Sequence, residues 1–210
     1  MEILLIRHGQ SQADLEDRLE GRADFPLTEL GRKQAYLAGQ WLKERYPPEL
    51  VLTSPLQRAA VTGKIIANAS KCPVKRDPAL MEWDNGLLAG LLRTEADQRF
   101  PKPQGGRKPH HRCAETESMI DFRARAETFW SRFEAECIEP KCYGRIAIVS
   151  HGGMINMLLR AILQLPMSDS IFFASADTGI HLLKVTAERK TIIFLNRQEH
   201  LQIRLEQADN

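Results

Sequence analysis

Nowhere in these 210 residues do about 18 consecutive apolar side chains occur, the run that a membrane-crossing helix needs. The opening Met1-Glu2-Ile3-Leu4-Leu5-Ile6 has too short an apolar core and no basic flank for a secretory signal, so a soluble cytoplasmic protein without a membrane partner is expected. Charge of one sign is also scarce: the formal net charge is +2, which gives no basis for nucleic-acid binding. The 4 cysteines, Cys72, Cys113, Cys137 and Cys142, form no CxxC pair and read as reduced thiols, not a disulfide framework. His110-His111-Arg112-Cys113 has no second ligand pair at a metal-binding spacing, so neither metal nor other cofactor is expected. Internal repeats and linkers are missing too, which points to a single domain over residues 1–210. A chain of that length buries about 70–75% of its unfolded surface and needs no staple.

What is present begins with Ile3-Leu4-Leu5-Ile6-Arg7-His8-Gly9-Gln10-Ser11, an apolar run of strand length that breaks into a basic residue, an imidazole, a glycine and a hydroxyl. Four successive aliphatic residues suit a central strand covered on both faces, and ligands in open α/β sheets bind beyond the carboxyl ends of such strands. Thr28 is a helix N-cap, followed by a helix to about Tyr46 that Pro47-Pro48 stops; Leu50 to Thr53 then reads as a second strand. Ser54-Pro55 predicts a further helix, with Ser54 as N-cap and Arg58 in its first turn. Pro73 to Arg76 is a short strand, and Pro78 to Gly90 is irregular. Residues 100–113 carry Lys102, Arg107, Lys108 and Arg112 with no acid, and read as an exposed basic loop inserted in the domain. It is taken as a solvated insertion, with substrate capture or partner binding as the other readings.

Helical periodicity returns from Glu115 to about Cys137, where Met119, Phe122, Ala126, Phe129 and Phe133 form one apolar stripe. Arg145 to Gly153 then repeats the opening pattern, an apolar strand delivering His151 and two glycines to a loop. The next helix carries Met154, Leu158, Ala161, Ile162 and Leu165 on one face and stops at Pro166. Ile180 to Val185 and Thr191 to Leu195 read as a closing antiparallel hairpin. Strands alternating with helices predict an α/β fold: a three-layer α/β/α sandwich with a mostly parallel sheet, helices on both faces and a C-terminal antiparallel strand or hairpin.

Arg7, His8, Arg58 and His151 all fall where strand ends and helix starts converge. Such a group suits a tetrahedral oxyanion, because arginine binds phosphate through a fixed fork and each charge-assisted hydrogen bond contributes about 1.5–3 kcal/mol. Backbone N–H groups at the helix start after Gly152 would add to the positive field. An imidazole in that field can be a nucleophile if an acceptor holds its far nitrogen, and His8, first off its strand and beside Arg7, is the better candidate. His151 would be a phosphate ligand, protonated or hydrogen-bond donating. Glu82 is the favoured acid, since Met81 and Trp83 would desolvate it. Taken singly, each of these residues is more often structural or solvated; the constellation is the specific signal.

These residues resemble the histidine phosphatase superfamily, which includes phosphoglycerate mutases and broad-specificity phosphatases. The marks are Leu5 to Ser11; Gly21-Arg22 with Pro26 to Gly31; Thr53 to Ala59; Glu82 with Gly86 and Gly90; and Ser150 to Gly153. The resemblance covers about residues 2 to 196. It implies that His8 is phosphorylated, that Arg7, Arg58 and His151 complete the phosphate pocket, that Glu82 is proton donor and then base, and that no metal takes part. Ser11 falls where the family often has a hydroxyl on the phosphate, and Gln57 is a weaker neighbour. Ser11, Asp14, Arg22 and Gly152 are the substrate-binding candidates. Asp14 departs from the Asn that many members carry. A carboxylate about 5 Å from phosphate would cost about 3 kcal/mol per unit charge at an effective dielectric of 20, so Asp14 is expected to turn away, pair with Arg18 or Arg22, or carry a proton. Leu87-Leu88-Ala89-Gly90 is a second departure, and Phe25, Leu87, Phe172 and Phe173 are candidate apolar walls.

The leading expectation is therefore a metal-independent phosphatase of small phosphomonoesters. The alternatives are mutase-type phosphoryl transfer and a catalytically weak phospholigand-binding protein, at which Asp14 hints. The partner expected is a small phosphorylated molecule; a homodimer is left open.

Overall fold

The computed structural model describes residues 1–140, 142–167 and 170–202. The end of the expected 1–210 domain, residues 203–210, lies outside the described residues. The chain runs β1 (Glu2–Arg7), α1 (Gln12–Leu15), α2 (Glu29–Arg45), β2 (Leu50–Thr53), α3 (Gln57–Ser70), β3 (Val74–Arg76), α4 (Arg93–Arg99), α5 (Met119–Phe133), β4 (Arg145–Ser150), α6 (Gly152–Ile162), β5 (Ile180–Val185) and β6 (Lys190–Arg197). One six-stranded sheet has the order β3-β2-β4-β1-β5-β6. The first four strands are parallel, while β5 runs antiparallel to β1 and to β6, so the expected hairpin closes the sheet.

The aliphatic run of β1 is buried on both faces because its side chains alternate between two cores. Ile3 and Leu5, with Ile146 and Ile148 of β4, pack under α5 and α6. Leu4 and Ile6, with Val51, Ala147 and Val149, pack under Trp41 and Leu42 of α2 and Ala59 and Ile66 of α3. The sandwich expected from the alternating pattern is the one observed. The α5 stripe supplies Phe122, Ala126, Phe129 and Phe133 to the first core, joined by Trp130. This helix is shorter than its periodicity predicts. Ser118 caps it through a reciprocal box with Asp121, and its last turn gives way to a π-helical turn over Glu134–Ile138.

Behind the sheet's carboxyl edge two buried histidines hold the return loop into β5. His181 Nδ1 accepts from the Asn196 N–H at 3.2 Å, so its Nε2 donates to Ser175 Oγ at 2.8 Å. Thr178 gives its hydroxyl proton to the Asp177 carbonyl and therefore accepts from His200 Nε2 at 2.8 Å. Burial pushes both imidazoles down to about 4. The unfolded chain takes up these protons first, so their stabilising effect is complete above about pH 6.5 and is lost as pH falls towards about 4, at about 3 kcal/mol per histidine. Urea unfolding should show a midpoint that drops through this window, and the double variant His181→Gln, His200→Gln should reduce the drop to the part that the buried His8 and His151 contribute; an equal drop in both proteins would place the acid sensitivity elsewhere.

Candidate active site

The parallel register sets Arg7 opposite Ser150, so the residues that follow, His8 and His151, leave the sheet side by side. Their ring centroids lie 5.1 Å apart with the planes at 61°. His8 is 1% exposed, and its backbone is pinned on both sides: its N–H donates to the Ser150 carbonyl at 3.0 Å and its carbonyl accepts from Thr178 N–H at 3.1 Å. The next amide, Gly9 N–H, donates to Thr62 Oγ1 at 3.2 Å. His8 Nδ1 lies 2.7 Å from the Gly9 carbonyl, which can only accept. The proton is therefore assigned to Nδ1, and Nε2 carries the lone pair. Arg58 Nε confirms the assignment by donating to Nε2 at 3.3 Å. Burial, then the Arg58 and Arg7 charges, hold His8 well below the usual histidine value, so it is neutral at neutral pH.

Arg58 is fully buried at the start of α3, with its fork on two backbone carbonyls: Nη1 donates to Ala23 at 3.0 Å and Nη2 to Gly21 at 2.8 Å. The turn-rich segment after Gly21 is thus folded around the guanidinium. Helix α3 starts at Gln57, later than Ser54-Pro55 predicts. The reason is a substitution of caps: Asp24, from the segment that Arg58 gathers, accepts from Gln57 N–H at 2.6 Å and from Gln57 Nε2 at 3.2 Å. The Ser54 hydroxyl still accepts from Leu56 N–H at 3.3 Å, ahead of the helix, and also meets His151 Nε2 at 2.9 Å. The other ring nitrogen, His151 Nδ1, is buried without a partner among the described residues. Burial, Arg58 and His8 hold His151 well below its ordinary value, so in this site it is neutral, not protonated.

Glu82 is held against the first turn of α6, where Gly152 is the first helical residue. Its Oε2 accepts from Gly153 N–H at 2.9 Å and its Oε1 from Trp83 N–H at 2.8 Å. The Trp83 ring itself packs on Phe122, 5.2 Å between centroids. A Cβ on residue 153 would come within 2.5 Å of Glu82 Oε1, so glycine there leaves room for the carboxylate. Arg125, unremarked in the sequence, clamps the backbone of this segment by donating to the carbonyls of Ala79, Met81 and Glu82 at 2.9, 2.6 and 3.1 Å.

Arg7 is 23% exposed; its Nη1 donates to the Ser175 carbonyl at 3.0 Å, and its Nη2 pairs with Asp14 at 3.0 Å and Asp177 at 3.4 Å. Asp14 therefore does pair with an arginine, but with Arg7 and not with Arg18 or Arg22. Arg18 is engaged by Glu16 at 2.6 Å, and Arg22 by Asp84 at 3.1 Å, with Arg22 Nε left buried and unpartnered among the described residues. Ser11 caps α1 in a reciprocal box with Asp14. Glu20, which no sequence pattern singled out, reaches the middle of the site: Oε2 is 3.3 Å from Arg58 Nε and 3.7 Å from His8 Nε2, and Oε1 is hydrogen-bonded to Ser11 Oγ. Nothing in one dimension separates Glu20 from Glu16 and Asp17 close by. Of the candidate walls, Leu87 and Phe172 are exposed, Phe25 is half-buried and Phe173 packs on the first core. The 100–113 loop is mostly exposed as expected, but Lys102 and Arg107 also line a cavity of about 480 Å³ with Leu19, Leu88 and Phe100.

A buried imidazole with its lone pair on Nε2, a buried guanidinium on that nitrogen, a second imidazole alongside and a carboxylate on the neighbouring helix start form a site for phosphoryl chemistry. The sequence model of the histidine phosphatase superfamily (branch 1) matches residues 3–198, and the chain belongs to that family of enzymes. The protein named probable phosphoglycerate mutase GpmB of Proteus mirabilis is 30% identical over 170 residues, covering 79% of this chain and 76% of its own. Among solved structures, a mycobacterial glucosyl-3-phosphoglycerate phosphatase complexed with VO3 is 26% identical, with a TM-score of 0.81 over 93% of this chain and 98% of that one. The alpha-ribazole phosphatase of Shigella flexneri is likewise 26% identical, with a TM-score of 0.83 over 94% and 97% of the two chains. Among the described residues no helix is long and apolar enough to cross a membrane.

The His8 loop is held from outside by the first turn of α2, where a Cβ on Gly31 would fall 2.0 Å from the Gln10 carbonyl oxygen. Helix propensity alone would make Gly31→Ala stabilising by about 1 kcal/mol. The collision with backbone should reverse the sign and cost about 1–3 kcal/mol, read as a lower urea midpoint. A raised midpoint would show that α2 does not clamp the loop.

Proposed function

We propose that this protein is a phosphatase of small phosphomonoesters that works through a phosphohistidine on His8. The observation that carries the reading is the His8 imidazole, locked by the Gly9 carbonyl into the tautomer that presents a lone pair at Arg58. Its depressed basicity keeps that pair free at neutral pH. Arg58 and Arg7 supply charge to the phosphoryl oxygens, while the neutral His151, through its unpartnered Nδ1, Ser11 and the α6 start at Gly152 supply hydrogen-bond donors.

In the first step His8 Nε2 attacks phosphorus, the phosphorus–oxygen bond to the leaving group breaks, and Glu82 gives its proton to that oxygen. In the second, the Glu82 carboxylate takes a proton from water, whose oxygen attacks phosphorus. The phosphorus–nitrogen bond breaks, its electron pair returns to Nε2, and inorganic phosphate leaves. The phosphatase titles of structural relatives that span more than nine-tenths of this chain support hydrolysis over transfer. The name of the Proteus relative favours the second reading, in which the phosphoryl group stays on His8 until a second substrate takes it. The cavity that Lys102 and Arg107 share with Leu19 supports substrate capture by the basic loop over a purely solvated insertion. Leu19 precedes Glu20, and Asn85 in the same wall lies against Gly21.

Hydrolysis of p-nitrophenyl phosphate and a panel of phosphorylated metabolites in EDTA should release phosphate with the wild type and none with His8→Ala. Conversion of 3-phosphoglycerate to 2-phosphoglycerate without release would establish the transfer reading instead. Glu82→Gln removes proton donation alone, so kcat on alkyl phosphates should fall about 100-fold while p-nitrophenyl phosphate, with its good leaving group, loses far less. Equal losses on the two substrates would remove Glu82 from the role of acid.

A further inference from the structure

Glu20 stands where the phosphoryl group of the proposed reaction would stand. One of its oxygens is 3.3 Å from Arg58 Nε and 3.7 Å from the His8 Nε2 lone pair, and the other is bound to Ser11 Oγ. A carboxylate fixed at that point would repel a substrate dianion, so the proton inventory around Ser11 decides what Glu20 does. Ser11 Oγ accepts from Asp14 N–H at 3.1 Å and lies 3.0 Å from Asp14 Oδ2 as well as in contact with Glu20 Oε1. A hydroxyl has one proton to give, so it can serve only one of the two carboxylates. The other contact is satisfied only if that carboxyl carries a proton and donates to Ser11. Asp14 is the better anion of the two: its Oδ1 pairs with Arg7 at 3.0 Å, and its Oδ2 also accepts the Ser11 N–H at 2.8 Å. Below the ionisation of Glu20, the arrangement that satisfies every donor runs from a Glu20 O–H to Ser11 Oγ, and from the Ser11 O–H to Asp14.

We propose that Glu20 is a further substrate-binding residue that works as a proton-carrying phosphate ligand: its carboxyl bridges His8, Arg58 and Ser11 in the free site and, on binding, donates its proton to a phosphoryl oxygen. The proposal rests on the site being a phosphate cradle. The charged and titratable groups that face Glu20 are Arg58 from α3, His8 and Arg7 from the end of β1, and Asp14 from α1, with His151 beside His8. Burial and Asp14 push the Glu20 carboxyl up against the opposing pull of Arg58, Ser11 and Arg7, and burial is the larger effect. A bound dianion pushes it further up. Above the ionisation of the free carboxyl, each oxyanion bound should therefore draw one proton onto Glu20.

Calorimetric titration with tungstate tests this, because tungstate is a tetrahedral dianion whose own charge is constant across the range needed. Titrations of wild type, Glu20→Gln and Glu20→Ser in two buffers of different ionisation heat give affinity and proton uptake together. Between about pH 6 and about pH 9 wild-type affinity should hold steady while the free carboxyl keeps its proton and then fall about tenfold per pH unit, with about one proton taken up on binding, once it is ionised. The Glu20→Gln protein should bind more tightly than wild type wherever wild-type affinity is falling, with the pH dependence and the extra proton gone. Glu20→Ser carries the same comparison if the glutamine variant does not fold. Equal proton uptake in wild type and variants would put the proton on His151 or His8 and overturn the proposal while leaving the cradle intact. No tungstate binding by any of the three proteins would overturn the cradle reading, and this proposal with it.

Discussion

The parallel pairing of β1 with β4 is the constraint from which the site follows. Arg7 faces Ser150 across the ladder, so two strands about 140 residues apart in sequence end at the same level and release His8 and His151 as neighbours. A slip of one residue would exchange the faces of every side chain in β1, sending Ile3 and Leu5 to the side now filled by Leu4 and Ile6. Both faces are aliphatic and tolerate that exchange less by polarity than by shape. The polar ends decide the register: His8 N–H on the Ser150 carbonyl and Thr178 N–H on the His8 carbonyl close the ladder on either side. The hydrophobic core thus serves the site by making the strand ends rigid.

Electrostatics then organises everything around that pair. Arg58 is a buried charge whose guanidinium is compensated locally by the carbonyls of Gly21 and Ala23, by the lone pair of His8 and by Glu20. Folding the 21–24 segment onto this charge brings Asp24 to the start of α3, where it accepts the Gln57 N–H, while Ser54 caps Leu56 and meets His151. One buried arginine therefore sets the loop and the cap at the helix start. Burial, together with its positive field, also keeps both imidazoles neutral.

Much of this was readable in one dimension, where the cause is local. The β1 run, Thr28 as a cap for α2, the apolar stripe of α5 and the closing hairpin all follow from periodicity and capping chemistry that need only near neighbours in sequence. Arg7, His8, Arg58, Glu82 and His151 stood out because each sits at a strand end, a helix start or a turn. Partner choice was not readable. Asp14 could have paired with Arg18, which is nearer in sequence than Arg7 at the end of the first strand, or with Arg22, which is nearly as near. It pairs with Arg7 because α1 folds back over the strand end, while Arg22 is drawn to Asp84 and Arg18 to Glu16. The carbonyl clamp that Arg125 places on the Glu82 segment joins residues more than 40 positions apart and has no local signature.

By itself the sequence determined the alternation of strands and helices, the two apolar faces of the central strand and the residue types available at the carboxyl edge of the sheet. Those properties depend on backbone preference and on hydrophobic period, which act over a few residues. Only the tertiary structure decided which nitrogen of His8 holds the proton, which carboxylate meets which arginine, and that Glu20 enters the cradle while Asp17 stays at the surface. Hydrogen bonds and ion pairs act over about 3–4 Å, and which groups come that close is fixed by how distant segments pack, not by their spacing along the chain.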